Sequence, residues 1–308
     1  MHLILETPRL RLRQFMPDDA AFVLELINDP DWIAGIRDAG VREVGAAREW
    51  LQSRLVEPCW QHGHGFWRVE SRDRAEPLGL CGVFKRDTLP IPDLGYGFLR
   101  RHRGHGYARE AAGACLDYAQ QVLGRDELLA ITAPHNERSQ QLLRDLGFVA
   151  EGEPVRSDDG LTQHWRWRSR RAAAGHRSDE EQLDDLVRRF FTAFDNRAGR
   201  IATAPALPAF FMPDADIRVG DQAPCSVRDF LAPRLELLAS RLREFHEWEL
   251  SAQTQVAADG QMAQRQSRYA KQGQLDGQPY GGQGRKSFHF VRDAEGRWRI
   301  GRLSWLDD

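Results

Sequence analysis

The chain has 308 residues, with 43 Lys and Arg against 45 Asp and Glu, and a formal net charge of −2. That balance gives no general reason to expect nucleic acid or an anionic membrane as a partner. At 41% hydrophobic and 29% charged residues, it has a globular composition and enough length for two domains. Cys59, Cys81, Cys115 and Cys225 are scattered, with no Cys-x-x-Cys pair, and read as free thiols suited to a reducing compartment. Met1 to Glu6 holds too short an apolar run for a signal peptide, and no segment approaches transmembrane length, so a cytoplasmic location is expected.

In chain order, Arg9 to Phe15 alternates Arg and Leu, a strand with one wet face. A helix follows from Asp18 and Asp19 to about Asn28-Asp29-Pro30, and a second from about Ala46 to Val56, which Pro58 should stop. His62 and His64 stand two apart, but no carboxylate or cysteine cluster joins them. A flexible loop and no metal are expected there. Phe66 to Glu70 and Leu78 to Phe84 read as strands.

The most informative stretch begins at Asp93. Leu94, Tyr96 and Phe98 alternate with Asp93, Gly95, Gly97 and Leu99, as in a strand. The loop Arg100-Arg-His-Arg-Gly104-His-Gly106 then opens into a helix with Ala108, Ala111, Ala112, Cys115, Leu116, Ala119, Val122 and Leu123 on one face. The first N–H groups of a helix lack partners, and its dipole makes that end positive. With two glycines and Arg100, Arg101 and Arg103 beside it, this end suits a phosphate or pyrophosphate. Gly106-Tyr107-Ala108 lacks the Gly-Lys-Ser/Thr of a P-loop, and Arg109 stands where a dinucleotide fingerprint needs its third glycine.

Leu128 to Ala133 reads as another strand. Asn136 is placed to cap a helix through Ser139, Leu142, Leu143 and Leu146, closed by Gly147-Phe148. Leu161 to Trp167 would be the last strand of this half, and 169–177, small and basic, a linker. The second half opens on a capping box, Ser178 with Glu181, and a helix with Phe190, Phe191 and Phe194. A short strand at Ala215 to Val219, a helix from Ser226 and four later strands make an α+β domain. Asp259-Gly260 and Glu295-Gly296 mark turns, and Gln272 to Gly284 reads as a long Gly/Gln-rich loop.

Arg101-His-Arg-Gly104-His-Gly106 resembles the Arg-x-x-Gly-x-Gly loop of the Gcn5-related (GNAT) acetyltransferases. Asn136-x-x-Ser139 with Leu146-Gly147-Phe148 resembles a second block of that family, and Thr7-Pro8-Arg9 to Arg13 its RimJ/RimL-type branch. The resemblance implies an α/β GNAT fold over residues 1–168, a mixed central sheet flanked by helices. It also implies an N-acetyltransferase that uses acetyl-CoA and no metal. Arg101, Arg103, Gly104, His105, Gly106, Tyr107 and Ala108 would hold the cofactor. Phe98 or Leu99 would offer a backbone N–H to the thioester carbonyl, and Asn136 would orient the pantetheine. The acceptor is expected to be a primary amine, on a protein N-terminus or a small molecule, attacking directly in a ternary complex. Trp32, Ile33 and Trp50 fall where the family builds an acceptor wall.

Many members use a tyrosine seven residues after the Asn as the thiolate's acid. Here that residue is Leu143, so the role passes to Ser139, and Asp93 would accept the amine proton. Plain alternatives stand beside both: a polar residue at a helix start, and a strand-end carboxylate. The missing tyrosine also keeps open a non-catalytic acyl-CoA-binding or ligand-sensing protein. Residues 178–308 resemble the SnoaL-like, nuclear-transport-factor-2-like fold, a cone of helices and curved sheet that binds apolar ligands or forms homodimers. Val219 stands where isomerases of that fold carry an acid, and Phe190, Phe191 and Phe194 where a tyrosine is expected. His289 and Asp221 are the remaining polar candidates for its interior.

Overall fold

Leu10 and Leu12 are fully buried while Arg11, between them, reaches Glu6 on the neighbouring strand, as a period of two dictates. The structure is a computed structural model and describes residues 2–157, 160–172, 177–220 and 222–308. Part of the expected linker, 173–176, and Asp221 lie outside the described residues.

Eight strands form the first sheet: β1 (Leu3–Glu6), β2 (Leu10–Arg13), β3 (Phe66–Ser71), β4 (Pro77–Phe84), β5 (Asp93–Phe98), β6 (Glu127–Thr132), β7 (Val149–Ser157) and β8 (Gly160–Arg168). Their spatial order is β1-β2-β3-β4-β5-β6-β8-β7, and only β5 and β6 run parallel. Those two meet at a single register pair, Asp93 with Leu129. Beyond it they share no ladder, which leaves a wedge between their C-terminal halves. β7 had no counterpart in the sequence reading; its pattern is broken by a bulge between Glu151 and Val155.

α1 (Ala20–Ile27), α2 (Pro30–Gly35) and α3 (Val44–Leu51) cover one face of the sheet, with Phe22, Leu26, Trp32 and Leu51 packed on Leu80 and Leu99. α5 (Tyr107–Gln121) and α6 (Glu137–Asp145) cover the other, where Ala111, Cys115 and Leu143 join Cys81, Leu94 and Phe98. Pro58 does not stop the helix before it. A π-helical turn at Gln52–Val56 follows α3, and α4 (Glu57–His62) restarts with Pro58 in its first turn, where its missing N–H is no loss. Nor is His62-Gly-His-Gly a loose loop. Gly63 ends α4 in the left-handed conformation, and His64 is buried.

The second half contributes α7 (Asp179–Thr192), β9 (Phe211–Val219), α8 (Val227–Ser240), β10 (Leu242–Val256), β11 (Met262–Leu275), β12 (Gln278–Arg292) and β13 (Trp298–Asp307). The sheet order is β10-β11-β12-β13-β9, with β9 parallel to β13. The capping box at Ser178 and the Ser226 cap form as read. Gln272 to Gly284 is not a long loop. β11 and β12 run through it and turn at Asp276-Gly277, both with positive φ, the geometry of a two-residue hairpin turn. Lys286, Phe288 and Phe290 are buried on one side of β12, so His289 lies on the other and does not enter the interior.

The two halves share one apolar core. A Cβ on Gly63 would fall 2.4 Å from the Ala206 carbonyl oxygen, so the end of α4 lies directly on the buried Ala204–Phe210 turn. Arg189 of α7 donates to the Val122 carbonyl at the end of α5 at 3.3 Å, and Arg125 pairs with Glu295 at 3.0 Å.

Candidate functional site

The site is built where β5 passes through its loop into α5. Gly104 and Gly106 have φ of 82° and 78°, a region costly for residues with a Cβ. Gly106 is the N-cap of α5 and no side chain caps it. The N–H groups of Tyr107, Ala108 and Arg109, in the first turn, therefore have no carbonyl partner inside the helix. Glu110 would oppose an anion here, but Arg9 neutralises it through a 2.6 Å ion pair. Thr7 and the Arg9 backbone N–H bind the same carboxylate, and Arg9 also donates to the His105 carbonyl at 2.9 Å. The Thr-Pro-Arg stretch is thus the brace of the α5 N-terminus.

The arginines divide their work. Arg101 pairs with Glu25, and Arg103 with Asp31 and Asp29, so both guanidinium groups turn toward α1 and α2. Asp29 also accepts from the Arg100 N–H at 3.0 Å, which fastens the loop to the α2 cap. The Arg100 side chain stays exposed. That leaves the remaining backbone N–H groups of the loop and the Arg100 side chain as its uncommitted donors, rather than the three free cations that the sequence suggests.

The wedge follows from strand geometry. The Leu99 N–H donates to the Leu78 carbonyl at 3.0 Å, so it is already engaged and does not serve as the free donor expected of it. Bonded and non-bonded positions alternate along an antiparallel pair, so Phe98 turns its N–H away from β4, toward the β6 side. The Phe98 carbonyl is held by Arg103 Nε at 2.7 Å.

Across the wedge, Asn136 caps α6, its side chain accepting from the Ser139 N–H at 3.2 Å. Asn136 Nδ2 lies against Gly35 at the end of α2, 3.5 Å from where a Cβ would be. The Ser139 Oγ is 2.8 Å from the Tyr96 Oη, which also lies 3.2 Å from the Ser139 carbonyl oxygen. Burial pushes the Tyr96 phenol up to about 12, with the contact to Ser139 working against that. Sequence reasoning placed Tyr96 on a strand face and missed this contact. The available signal was the pair of flanking glycines. A Cβ on Gly95 would meet the Phe66 ring at 2.6 Å and one on Gly97 the Trp32 ring at 2.5 Å, so aromatic rings cover β5 on one face and the Tyr96 hydroxyl projects from the other.

Asp93 sits at the closed end of the wedge, 1% exposed, on the glycine face of β5 and hence opposite Tyr96. Both its oxygens accept from Arg86 Nε, at 3.1 and 3.0 Å. Burial raises its pKa and Arg86 works against that. Trp32 is buried in the helix-covered core, Trp50 packs against it, and Ile33 is exposed.

His64 Nδ1 donates to the Val83 carbonyl at 2.9 Å, and burial, followed by the charge of Arg125, holds the pKa of the ring well below the usual value against that bond. Among the described residues, no three His, Cys, Asp or Glu side chains are grouped to hold a metal ion. Cys59, Cys81, Cys115 and Cys225 are free thiols, the first three buried. No helix of the described residues is long and apolar enough to cross a membrane.

Residues 9–149 match the family described as acetyltransferase (GNAT) domain. The chain is 33% identical over 149 residues to the uncharacterized protein YkkB of Bacillus subtilis, a match covering 47% of this chain and 84% of that one. It is 27% identical over 154 residues to the uncharacterized N-acetyltransferase YoaA of the same organism, covering 49% of this chain and 86% of that one. With the [ribosomal protein uS5]-alanine N-acetyltransferase of Escherichia coli it shares 32% over 98 residues, which is 31% of this chain and 49% of that protein.

Proposed function

We propose, on the premise that the chain belongs to the acetyltransferase (GNAT) family and is an N-acetyltransferase, that it moves the acetyl group of acetyl-CoA to a primary amine by direct attack in a ternary complex. The observation that carries this reading is what β5 brings together: it leads to the uncapped α5 N-terminus, turns the Phe98 N–H off the β4 ladder and meets the Ser139 hydroxyl through Tyr96. The residues present fit the cofactor. The N–H groups from Gly104 to Ala108, with Arg100, would hold the pyrophosphate, while His105 and Tyr107 brace the loop through Arg9. Arg101 and Arg103 hold its shape through α1 and α2. The thioester is the activated acyl group that the amine attacks.

Phe98 N–H would polarise the carbonyl, and Ser139 would meet the departing sulfur, with Asn136 fixing the start of α6 and facing the pantetheine. Asp93 lies too deep to touch the amine. It would act as the last acceptor of a proton relayed by water, its buried site favouring the protonated form.

The acceptor is a protein N-terminal amine or a small-molecule amine. The partial match to a ribosomal-protein alanine acetyltransferase favours the former. Residues 1–168 would form the acetyltransferase domain and 178–308 a SnoaL-like cone, joined by 169–177. The order of two helices around β9 and then a meander, over an interior of Phe190, Phe191, Phe288 and Phe290, supports the cone. It would shape acceptor binding or hold a homodimer. Four free thiols support a reducing, cytoplasmic setting.

The test is a screen of amines and N-terminal peptides for CoA release, with product mass measured. Release of CoA with an acetylated amine is expected. Tight acetyl-CoA binding with no product from any amine would overturn the enzymatic part of the proposal and leave acyl-CoA binding or sensing in its place.

A further inference from the structure

We infer that Tyr96 is a positioning residue, its hydroxyl fixing where the Ser139 proton points. The inference rests on the reading of Ser139 as the group that meets the leaving sulfur. Ser139 has one hydroxyl proton and two lone pairs, and its rotor can turn. If Ser139 donates to Tyr96, its proton points away from the wedge and the Tyr96 proton goes to the Ser139 carbonyl, 3.2 Å away. If Tyr96 donates to Ser139 Oγ, 2.8 Å away, the serine proton is left for the sulfur.

One fact favours the second arrangement. Either hydroxyl can donate across the 2.8 Å contact, but a phenol is the stronger donor and an aliphatic hydroxyl the stronger acceptor. A hydroxyl that accepts from a phenol also donates more strongly, because chained hydrogen bonds polarise one another. Tyr96 itself keeps its proton, so nothing but a hydrogen bond is passed along the chain. Its ring is fixed by the β5 ladder opposite Cys81, and Ser139 is fixed by the Asn136 cap, so the pair is held from both sides.

The pair should be visible without turnover. Free CoA ends in a thiol, and a hydrogen bond to its thiolate lowers the pKa of that thiol. Titration of CoA bound to the full chain, followed by thiolate absorbance, should give a lower value than free CoA. Tyr96→Phe keeps the ring packing and should raise the bound thiol's pKa by roughly half a unit to one unit, with CoA affinity by calorimetry within about twofold. Ser139→Ala should raise it at least as far, and the double variant no further than Ser139→Ala alone.

A tyrosine that only packs would change stability or affinity and leave the thiol titration untouched. An unchanged titration in Tyr96→Phe, with a raised one in Ser139→Ala, overturns the inference and spares the Ser139 reading. An unchanged titration in Ser139→Ala overturns both.

Discussion

At the scale of the residue, Gly106 shows how a local conformation becomes a binding property. Its φ of 78° puts it in a region that Asp and Asn tolerate better than other side chains, so Gly106→Asp and Gly106→Asn differ mainly in charge. The carboxylate would stand at the uncapped end of α5, where the pyrophosphate belongs. Gly106→Asp should weaken acetyl-CoA binding about tenfold or more, and Gly106→Asn much less, as read by calorimetry. Equal affinities in the two variants would sink the loop assignment. Both loop glycines were legible in the sequence because a basic turn that opens a helix has few other uses for them. Tyr96 was not, since strand alternation gives a side chain its face but not its partner across the wedge. Leu99 failed for a related reason: whether a backbone N–H is free depends on ladder register, and its neighbour Phe98 differs from it only by one step.

At the scale of the element, the lesson is in the hairpins. Gln272 to Gly284 holds many glycines and glutamines, which favours a loop on composition. The pairing runs unbroken from Met262↔Val291 to Leu275↔Gln278 all the same. What decides it is the dipeptide Asp276-Gly277, a hairpin signal that was present in the sequence and outweighed by its surroundings. The glycines have separate uses: at Gly284 a Cβ would fall 2.4 Å from the Leu306 carbonyl oxygen, so only glycine fits. Gly277, with φ of 77°, should tolerate substitution poorly. Gly277→Ala should lower unfolding stability by about 1 kcal/mol, measured by urea denaturation. No loss there would argue that the turn relaxes to another type. The same limit explains Pro58. A proline inside a helical pattern normally ends it, and only the π-helical turn before it, invisible to periodicity, lets α4 begin.

At the scale of the whole molecule, the sequence suggested two separable halves, since 169–177 carries no apolar period. The shared core and the seat of Gly63 on Ala206 tie them more closely than that reading implies. His64 lies at this seam, near Arg125 and Arg299, and gives it a pH dependence. Its folded pKa is depressed by burial, then by Arg125. Above about pH 6.5 the ring is neutral in both states and pH has no effect through it. As pH falls below that, the unfolded chain takes up a proton that the folded one refuses. Stability therefore falls with falling pH, by up to about 1.4 kcal/mol per unit from this group. His64→Gln should flatten the decline in melting temperature between pH 6.5 and 5. A parallel decline in both proteins would assign the effect to other histidines, His62 among them.

α5 belongs to both halves: its N-terminus is the open end of the site, and its C-terminal carbonyl at Val122 receives Arg189 from α7. Fifteen residues of helix make a rod of about 22 Å. Screening at ordinary ionic strength extends only about 8 Å. Arg189 is itself buried, but its charge is offset by Asp185 and stands a helix length away, so its influence on an anion at the other end travels mainly as stiffness of the rod. Arg189→Ala should lower the melting temperature, because a buried guanidinium and its bonds to Val122 and Asp185 are lost. The acetyl-CoA dissociation constant should stay within about twofold, and its salt dependence should be that of the parent, since the ions released belong to the loop alone. A changed salt slope in Arg189→Ala would mean that the far end of the helix reaches the site through its field.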